Sequence, residues 1–161
     1  MEAESALVPG RLARGSRCFG AWVGHELVGY GWLSTKSEWI GEVELEIDLP
    51  AGEAYIWNCV TLAPHRRKGV FRSVITSIVG QAQKEGLRRL WIASMVGVGG
   101  KTMQQAGFKP ALLFDATKML GVHWLRVKPA DGVEPGLLAS ARKVVAVQGP
   151  LLVRRSITRR H

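Results

Sequence analysis

The 161-residue chain is predicted to fold as a single α/β domain built on a mixed (α+β) sheet, and three features support that expectation. Short runs of β-branched and aromatic residues recur at 17–35, 55–62 and 90–96, as buried strands require. Between the last two runs lies one stretch with helical spacing, the arrangement of a β-α-β unit. The length suits one domain with a sizeable core.

Taken in order, Arg17–Val23 and Leu27–Leu33 read as a hairpin around a turn at Gly24, His25 and Glu26. Residues 42–48 alternate with period two, so Val43, Leu45 and Ile47 share one face of a half-buried strand and Glu42, Glu44 and Glu46 the other. Pro50-Ala51-Gly52 turns the chain into the strand at 55–62. Val70, Val74, Ile78, Val79 and Ala82 then form one apolar stripe of a helix that Gly86 ends. Leu90–Val96 reads as a further strand, parallel to 55–62 and joined to it by a right-handed crossover. A glycine-rich link over 97–100 leads to a short helix at 101–106, stopped by Gly107, and two closing strands are expected at 111–119 and 122–127.

Composition narrows the function. Apolar residues make up 47% of the chain, yet no run reaches the roughly 18 residues of a membrane span. Residues 1–10 lack the basic and apolar regions of a secretory signal, so a cytoplasmic protein is expected. Cys18 and Cys59 both lie in apolar strand-like runs and read as reduced, buried thiols. The four histidines show no ligand spacing, which argues against a metal site. The net charge of +9 invites a nucleic-acid reading, but no aromatic residue interleaves with the arginines at 142, 154, 155, 159 and 160. That distribution argues against nucleic acid as the partner.

The densest chemistry sits between strand and helix, at Arg66-Arg67-Lys68-Gly69-Val70-Phe71-Arg72. A glycine there lets the backbone approach a ligand, and the first free N–H groups of the following helix favour an anion. Strand, basic glycine-bearing turn and amphipathic helix together resemble the pyrophosphate corner of the GNAT acyltransferase superfamily. The family signature Arg/Gln-x-x-Gly-x-Gly/Ala is matched at Arg66 and Gly69, with Phe71 at its small-residue position. Gln104-Gln105-Ala106-Gly107-Phe108 resembles the helix end that follows the family's fifth strand.

The resemblance spans residues 17–127 and implies a GNAT-like acyl-CoA N-acyltransferase fold, N-terminally truncated. It leaves 1–16 as an N-terminal segment and 128–161 as a basic C-terminal extension. It implies acetyl-CoA as cosubstrate and transfer of the acetyl group, by direct attack, to a small-molecule or peptide amine. Backbone at Cys59, Val60 and Thr61 would pair with the pantetheine arm, and N–H groups from Arg67, Lys68, Gly69, Val70, Phe71 and Arg72 would hold the pyrophosphate, with Arg66 bracing the turn. The family's common tyrosine and asparagine are replaced by Met103 and Val96. The remaining candidates for proton handling are Glu53, Tyr55 and Asn58. Glu42, Glu44 and Glu46 could attract a cationic acceptor, and His123 and Trp124 could line its side. An exposed hairpin edge favours a homodimer. Two other readings stay open: a catalytically degenerate CoA-binding protein, and a basic nucleic-acid module.

Overall fold

A computed structural model describes residues 5–95, 99–119, 122–146 and 151–155, with backbone alone at 42, 118, 119, 122, 123 and 151–155. Val96, Gly97, Arg159 and Arg160, singled out above, lie outside the described residues. In chain order the elements are α1 (Val8–Ala13), β1 (Arg17–Val23), β2 (Glu26–Ser34), β3 (Glu38–Ile40), β4 (Leu45–Ile47), β5 (Glu53–Thr61), α2 (Val70–Lys84), β6 (Arg89–Ile92), α3 (Gly100–Gln105), β7 (Leu112–Met119), β8 (Val122–Pro129), α4 (Pro135–Val144) and β9 (Leu151–Arg155). They fall into two compact units, Met1–Lys36 with Leu49–Lys109, and Ser37–Asp48 with Pro110–His161.

The first unit is a four-stranded mixed sheet in the order β1-β2-β5-β6. The hairpin β1-β2 and the pair β2-β5 are antiparallel, while β5 and β6 run parallel, as the β-α-β reading requires. On one face of the sheet, Leu33, Ala54 and Ile56 pack against Val74, Ile75 and Ile78 of α2. This is the helical stripe read from the sequence, with Ile75 added to it. Apolar side chains this completely buried typically contribute about 2–5 kcal/mol each against truncation to alanine. The helix lies close because β2 presents glycine beneath it. A Cβ on Gly31 would sit 2.9 Å from both Cys59 Sγ and Val74 Cγ1. The C-terminal end of α2 is tied back to β1 by Arg17, whose guanidinium forms a two-pronged ion pair with Glu85, while Gln81 Nε2 donates to the same carboxylate at 2.7 Å.

The other face of this sheet carries α1, an element the sequence reading did not anticipate, although Pro9 suits the first turn of a helix. Arg11 is buried, with its guanidinium 5.2 Å from the centre of the Trp32 ring and 4.8 Å from that of Trp57. A desolvated cation over two indoles is stabilising, and it holds this short helix on the sheet. The expectation of a buried Cys18 fails: along β1, Phe19 and Ala21 pack towards the core, whereas Cys18 is exposed. Strict alternation on the edge strand explains this, since Cys18 shares the outer side with Trp22.

The second unit contains a two-stranded β3-β4 pair and a three-stranded antiparallel sheet in the order β7-β8-β9. The single strand expected over 42–48 is cut short. Gly41–Val43 form a 3-10 turn and Glu44 takes a left-handed conformation with φ 47°, so only Leu45–Ile47 pair, with Glu38–Ile40. Within that remnant the alternation holds, Leu45 and Ile47 being buried and Glu46 exposed. The strands expected at 111–119 and 122–127 form as β7 and β8, but they bond to each other and to β9 in a sheet of their own. β6 stops at Ile92, four residues short of the expected strand end, and among the described residues it bonds to β5 alone. In the basic extension, α4 contacts β7, and the Val144 carbonyl accepts from the Asp48 N–H at 3.0 Å.

Two measurements test this packing. Replacing Gly31 with alanine forces the Cβ into Val74 and Cys59, and should lower the urea midpoint by the equivalent of about 1–3 kcal/mol with an unchanged m-value. The Arg17 and Gln81 contacts hold the Glu85 carboxyl down at about 2, against an ordinary 4.5. Because the folded-state value is depressed, the stabilisation is complete above pH 4.5 and lost as pH falls towards 2. Acid melts of Glu85→Gln should therefore match wild type at pH 2 and fall below it above pH 4.5, by a margin that shrinks with salt.

Candidate functional site

The site is built where β5 leaves β6. Their parallel pairing runs from Glu53↔Arg89 to Ile56↔Ile92 and then ends, while on its other side β5 stays bonded to β2 as far as Gly29↔Thr61. Residues 57–61 therefore have one bonded edge and one edge without a β6 partner. Within this segment the register of β2 advances by two residues, Tyr30 to Trp32, while β5 advances by three, Trp57 to Val60. The extra residue makes a bulge, and Asn58 occupies it with φ 43°, a conformation asparagine tolerates better than most residues.

Beyond Thr61 the chain enters the basic corner. A 3-10 turn at Ala63–His65 leads through Arg66 to Arg67 with φ 62° and Gly69 with φ 82°, and α2 begins at Val70. Arg66 Nε donates to the Thr61 carbonyl at 3.4 Å, and the Leu62 N–H donates to the Val28 carbonyl at 3.0 Å, so the corner is fastened to strand ends on both sides. His65 Nε2 lies 3.4 Å from Glu26 Oε1. At the start of α2 no side chain caps the helix and no acid sits in the first turn. The first intrahelical bond is from the Ser73 N–H to the Gly69 carbonyl, which leaves the amides of Val70, Phe71 and Arg72 at the open helix end. Nothing lies within 4 Å of the position a Cβ on Gly69 would take. Arg66, Arg67, Lys68 and Arg72 are exposed around it. Uncapped amides, a helix dipole and four cations make an anion-attracting corner.

Phe71 does not crowd this opening. Its ring packs onto the sheet-helix core and lies against Gly99, where Met103 Cε also arrives. Thr61 Oγ1 and Trp57 Nε1, both on the segment of β5 beyond β6, are buried and have no hydrogen-bond partner. Cys59 Sγ sits over Gly31 on the α2 side, and burial pushes its thiol up to about 12. Among the described residues no group of three or more His, Cys, Asp and Glu side chains is placed to hold a metal ion, and no helix is long and apolar enough to cross a membrane.

The three proton-handling candidates are not brought together. Glu53 and Asn58 are separated by ~16 Å of strand rise. Glu53 is buried and fully engaged: Oε2 accepts from Trp91 Nε1 at 2.6 Å and Oε1 from Arg89 at 3.2 Å. It clamps the β5-β6 pair at the end remote from the corner. Tyr55 is buried next to it in the sheet, at the position paired with Trp91. Of the three, Asn58 alone lies on the segment of β5 beyond β6. Glu42 and Glu44 lie in the turn region before β4, and Glu46 lies on β4, all in the second unit. The sequence reading missed the Arg11, Trp32 and Trp57 cluster and the Glu53, Arg89 and Trp91 cluster. Aligning 53–56 with 89–92 as parallel neighbours would have found the second.

Residues 3–98, more than half of the chain, match the model of the Acetyltransferase (GNAT) family. No curated protein matches the chain. Among solved structures, one named a "putative acetyltransferase" from Agrobacterium tumefaciens strain C58 superposes with a TM-score of 0.53 at 18% identity, over 71% of this chain and 76% of its own. Another with the same description, from Pyrococcus furiosus, gives 0.52 at 17%, over 73% and 76%. The ribosomal-protein-S18-alanine N-acetyltransferase of Escherichia coli gives 0.51 at 14%, over 67% and 61%. At these identities the likeness is one of fold, and it agrees with the family match: the chain belongs to the GNAT acetyltransferase family.

Proposed function

We propose that this chain is an acyl-CoA-dependent N-acetyltransferase that uses acetyl-CoA and acetylates an amine by direct attack. The observation that carries the reading is the segment of β5 with no β6 partner on one edge, followed through a short basic turn by an uncapped, cation-ringed helix start. Thr61 Oγ1, buried without a partner at that junction, supports a polar ligand alongside. The residues fit the cosubstrate. Backbone of Cys59, Val60 and Thr61 would pair with its amide-bearing arm, and the amides from Arg67 to Arg72 would hold its pyrophosphate, with Arg66 bracing the turn from Thr61. The cosubstrate supplies an activated acyl thioester.

The chain's own residues would bind, orient and exclude. Asn58, in the bulge, is the candidate for orienting the water that removes the amine proton, and Glu53 with Tyr55 positions the strand on which Asn58 sits. Met103 is apolar and cannot donate a proton, so solvent would take up the amine proton and supply one to the departing CoA thiolate. A covalent acyl-enzyme is disfavoured. At pH 7 a thiol near 12 is thiolate to only about one part in 10⁵. Although Cys18 is exposed, partial desolvation raises its thiol as well, and β1 is separated by β2 from β5 in the sheet order.

Thermal shift with acetyl-CoA tests the cosubstrate: stabilisation should grow as RT ln(1 + [L]/Kd), about 2.7 kcal/mol at 100 times Kd. Charge reversal at Arg67 and Lys68 should weaken binding at least tenfold. No shift at any concentration would sink the proposal. Release of free CoA thiol with a panel of amines tests transfer, and Asn58→Ala should lower kcat by about 10²-fold or more. Binding without thiol release on any amine would instead favour the degenerate reading. Iodoacetamide at neutral pH should label Cys18 first and Cys59 only after unfolding, with no loss of transfer on labelling Cys18. Loss of transfer on that labelling would overturn the direct-attack mechanism.

A further inference from the structure

The three-stranded sheet of the second unit has an exposed face whose cations the acetyl-transfer reading does not use. Along β8, Leu125 and Val127 are buried while Trp124, Arg126 and Lys128 are exposed. Register places Thr117 opposite Trp124, Asp115 opposite Arg126 and Leu113 opposite Lys128, and all three β7 residues are exposed as well. On the other side, β9 sets Val153 beside Trp124, Leu151 beside Arg126 and Arg155 beside Val122. The centre of the face is therefore an indole, 42% exposed, in line with two cations at every second residue, a spacing of ~6.8 Å.

We propose that this face binds single-stranded nucleic acid, with Trp124 stacking on a base and Arg126 and Lys128 following the phosphates. The aromatic residue whose absence from the arginine-rich tail argued against nucleic acid is supplied by the neighbouring strand. Pairing β8 with β9 places the arginine-rich end beside this strand, with Arg155 at the register position opposite Val122, two residues from Trp124. Charge supports this occupant over others. Residues 110–161 contain nine Lys and Arg against three Asp and Glu. The five carboxylates of 38–48 lie on or beside the β3-β4 hairpin, which is not part of this sheet. A membrane would need a broad apolar surface, whereas among the described side chains of this face Leu113 and Trp124 are set among exposed Asp115, Thr117, Arg126 and Lys128. Stacking needs one aromatic face between cations, which the sheet presents.

Fluorescence anisotropy of labelled oligo(dT) and oligo(U) of about 12 nucleotides, titrated with the full chain between about 50 and 200 mM salt, tests the proposal. Binding should weaken steeply with salt. Trp124→Ala should weaken it at least tenfold and Trp124→Phe should restore most of it. The pair Arg126→Glu and Lys128→Glu should reduce the slope of log K against log salt by about 1.4. Circular dichroism checks that each variant is folded, and Trp124→Phe keeps the test decisive if the alanine variant is not. The proposal is overturned by absent binding, by equal binding of Trp124→Ala, or by dependence on Arg67 and Lys68 alone. Competition by polyglutamate as strong as by oligonucleotide would assign the face to an acidic polypeptide. Binding to anionic vesicles without binding to oligonucleotide would assign it to a membrane surface.

Discussion

The first unit depends on β5 being bonded to β2 from Tyr55 to Thr61 on one edge but to β6 only from Glu53 to Ile56 on the other. A strand segment that keeps one ladder and lacks the second presents backbone donors and acceptors along one edge, and buried groups of that kind demand partners. The clamp at the other end makes this separation definite. Glu53 engages Arg89 and Trp91 where the two strands begin, so the pairing is fixed there and ends at Ile56 and Ile92. β2 then has to hold the freed segment, and the bulge at Asn58 lets it do so while the register shifts by one residue. The unpaired edge and the open helix end are consecutive in the chain, so both could address a single extended ligand.

Much of this was legible because it rests on local chemistry. The stripe of α2, the hairpin and the glycine at 69 follow from spacing and from the few residues that adopt a left-handed conformation. What was not legible depends on register. Glu53 read as a candidate for proton handling because nothing near it in sequence partners it; its partners are 36 and 38 residues away, across a parallel ladder. Cys18 read as buried because its run is apolar, yet an edge strand buries only alternate residues. The acidic strand read as continuous because period two fits every residue from 42 to 48. A left-handed Glu44 interrupts it, and alternation alone carries no information about backbone sign.

The same distinction explains the two readings of charge. A net charge of +9 is a property of composition, and composition does not say which cations share a surface. At the corner the cations are consecutive, so their grouping could be read directly. On β8 they alternate with buried Leu125 and Val127, so Trp124, Arg126 and Lys128 share one face once the strand is placed, and the register with β7 and β9 shows which residues stand beside them.

Phe71 shows how a departure from a family pattern can be absorbed away from the ligand. The signature places a small residue there so that the backbone can meet a pyrophosphate, and a phenylalanine would be expected to obstruct it. The ring instead turns onto the core and against Gly99, leaving the helix start open. That contact recruits Met103, the residue at the position where the family often has a tyrosine. The two departures are therefore one packing arrangement: a large ring under α2 favours an apolar neighbour on α3, and an apolar neighbour cannot donate a proton. A chain that fills this space with Phe71 and Met103 couples the start of α2 to α3 mechanically, and in the proposed mechanism that leaves proton transfer to water, with Asn58 as the group that would orient it.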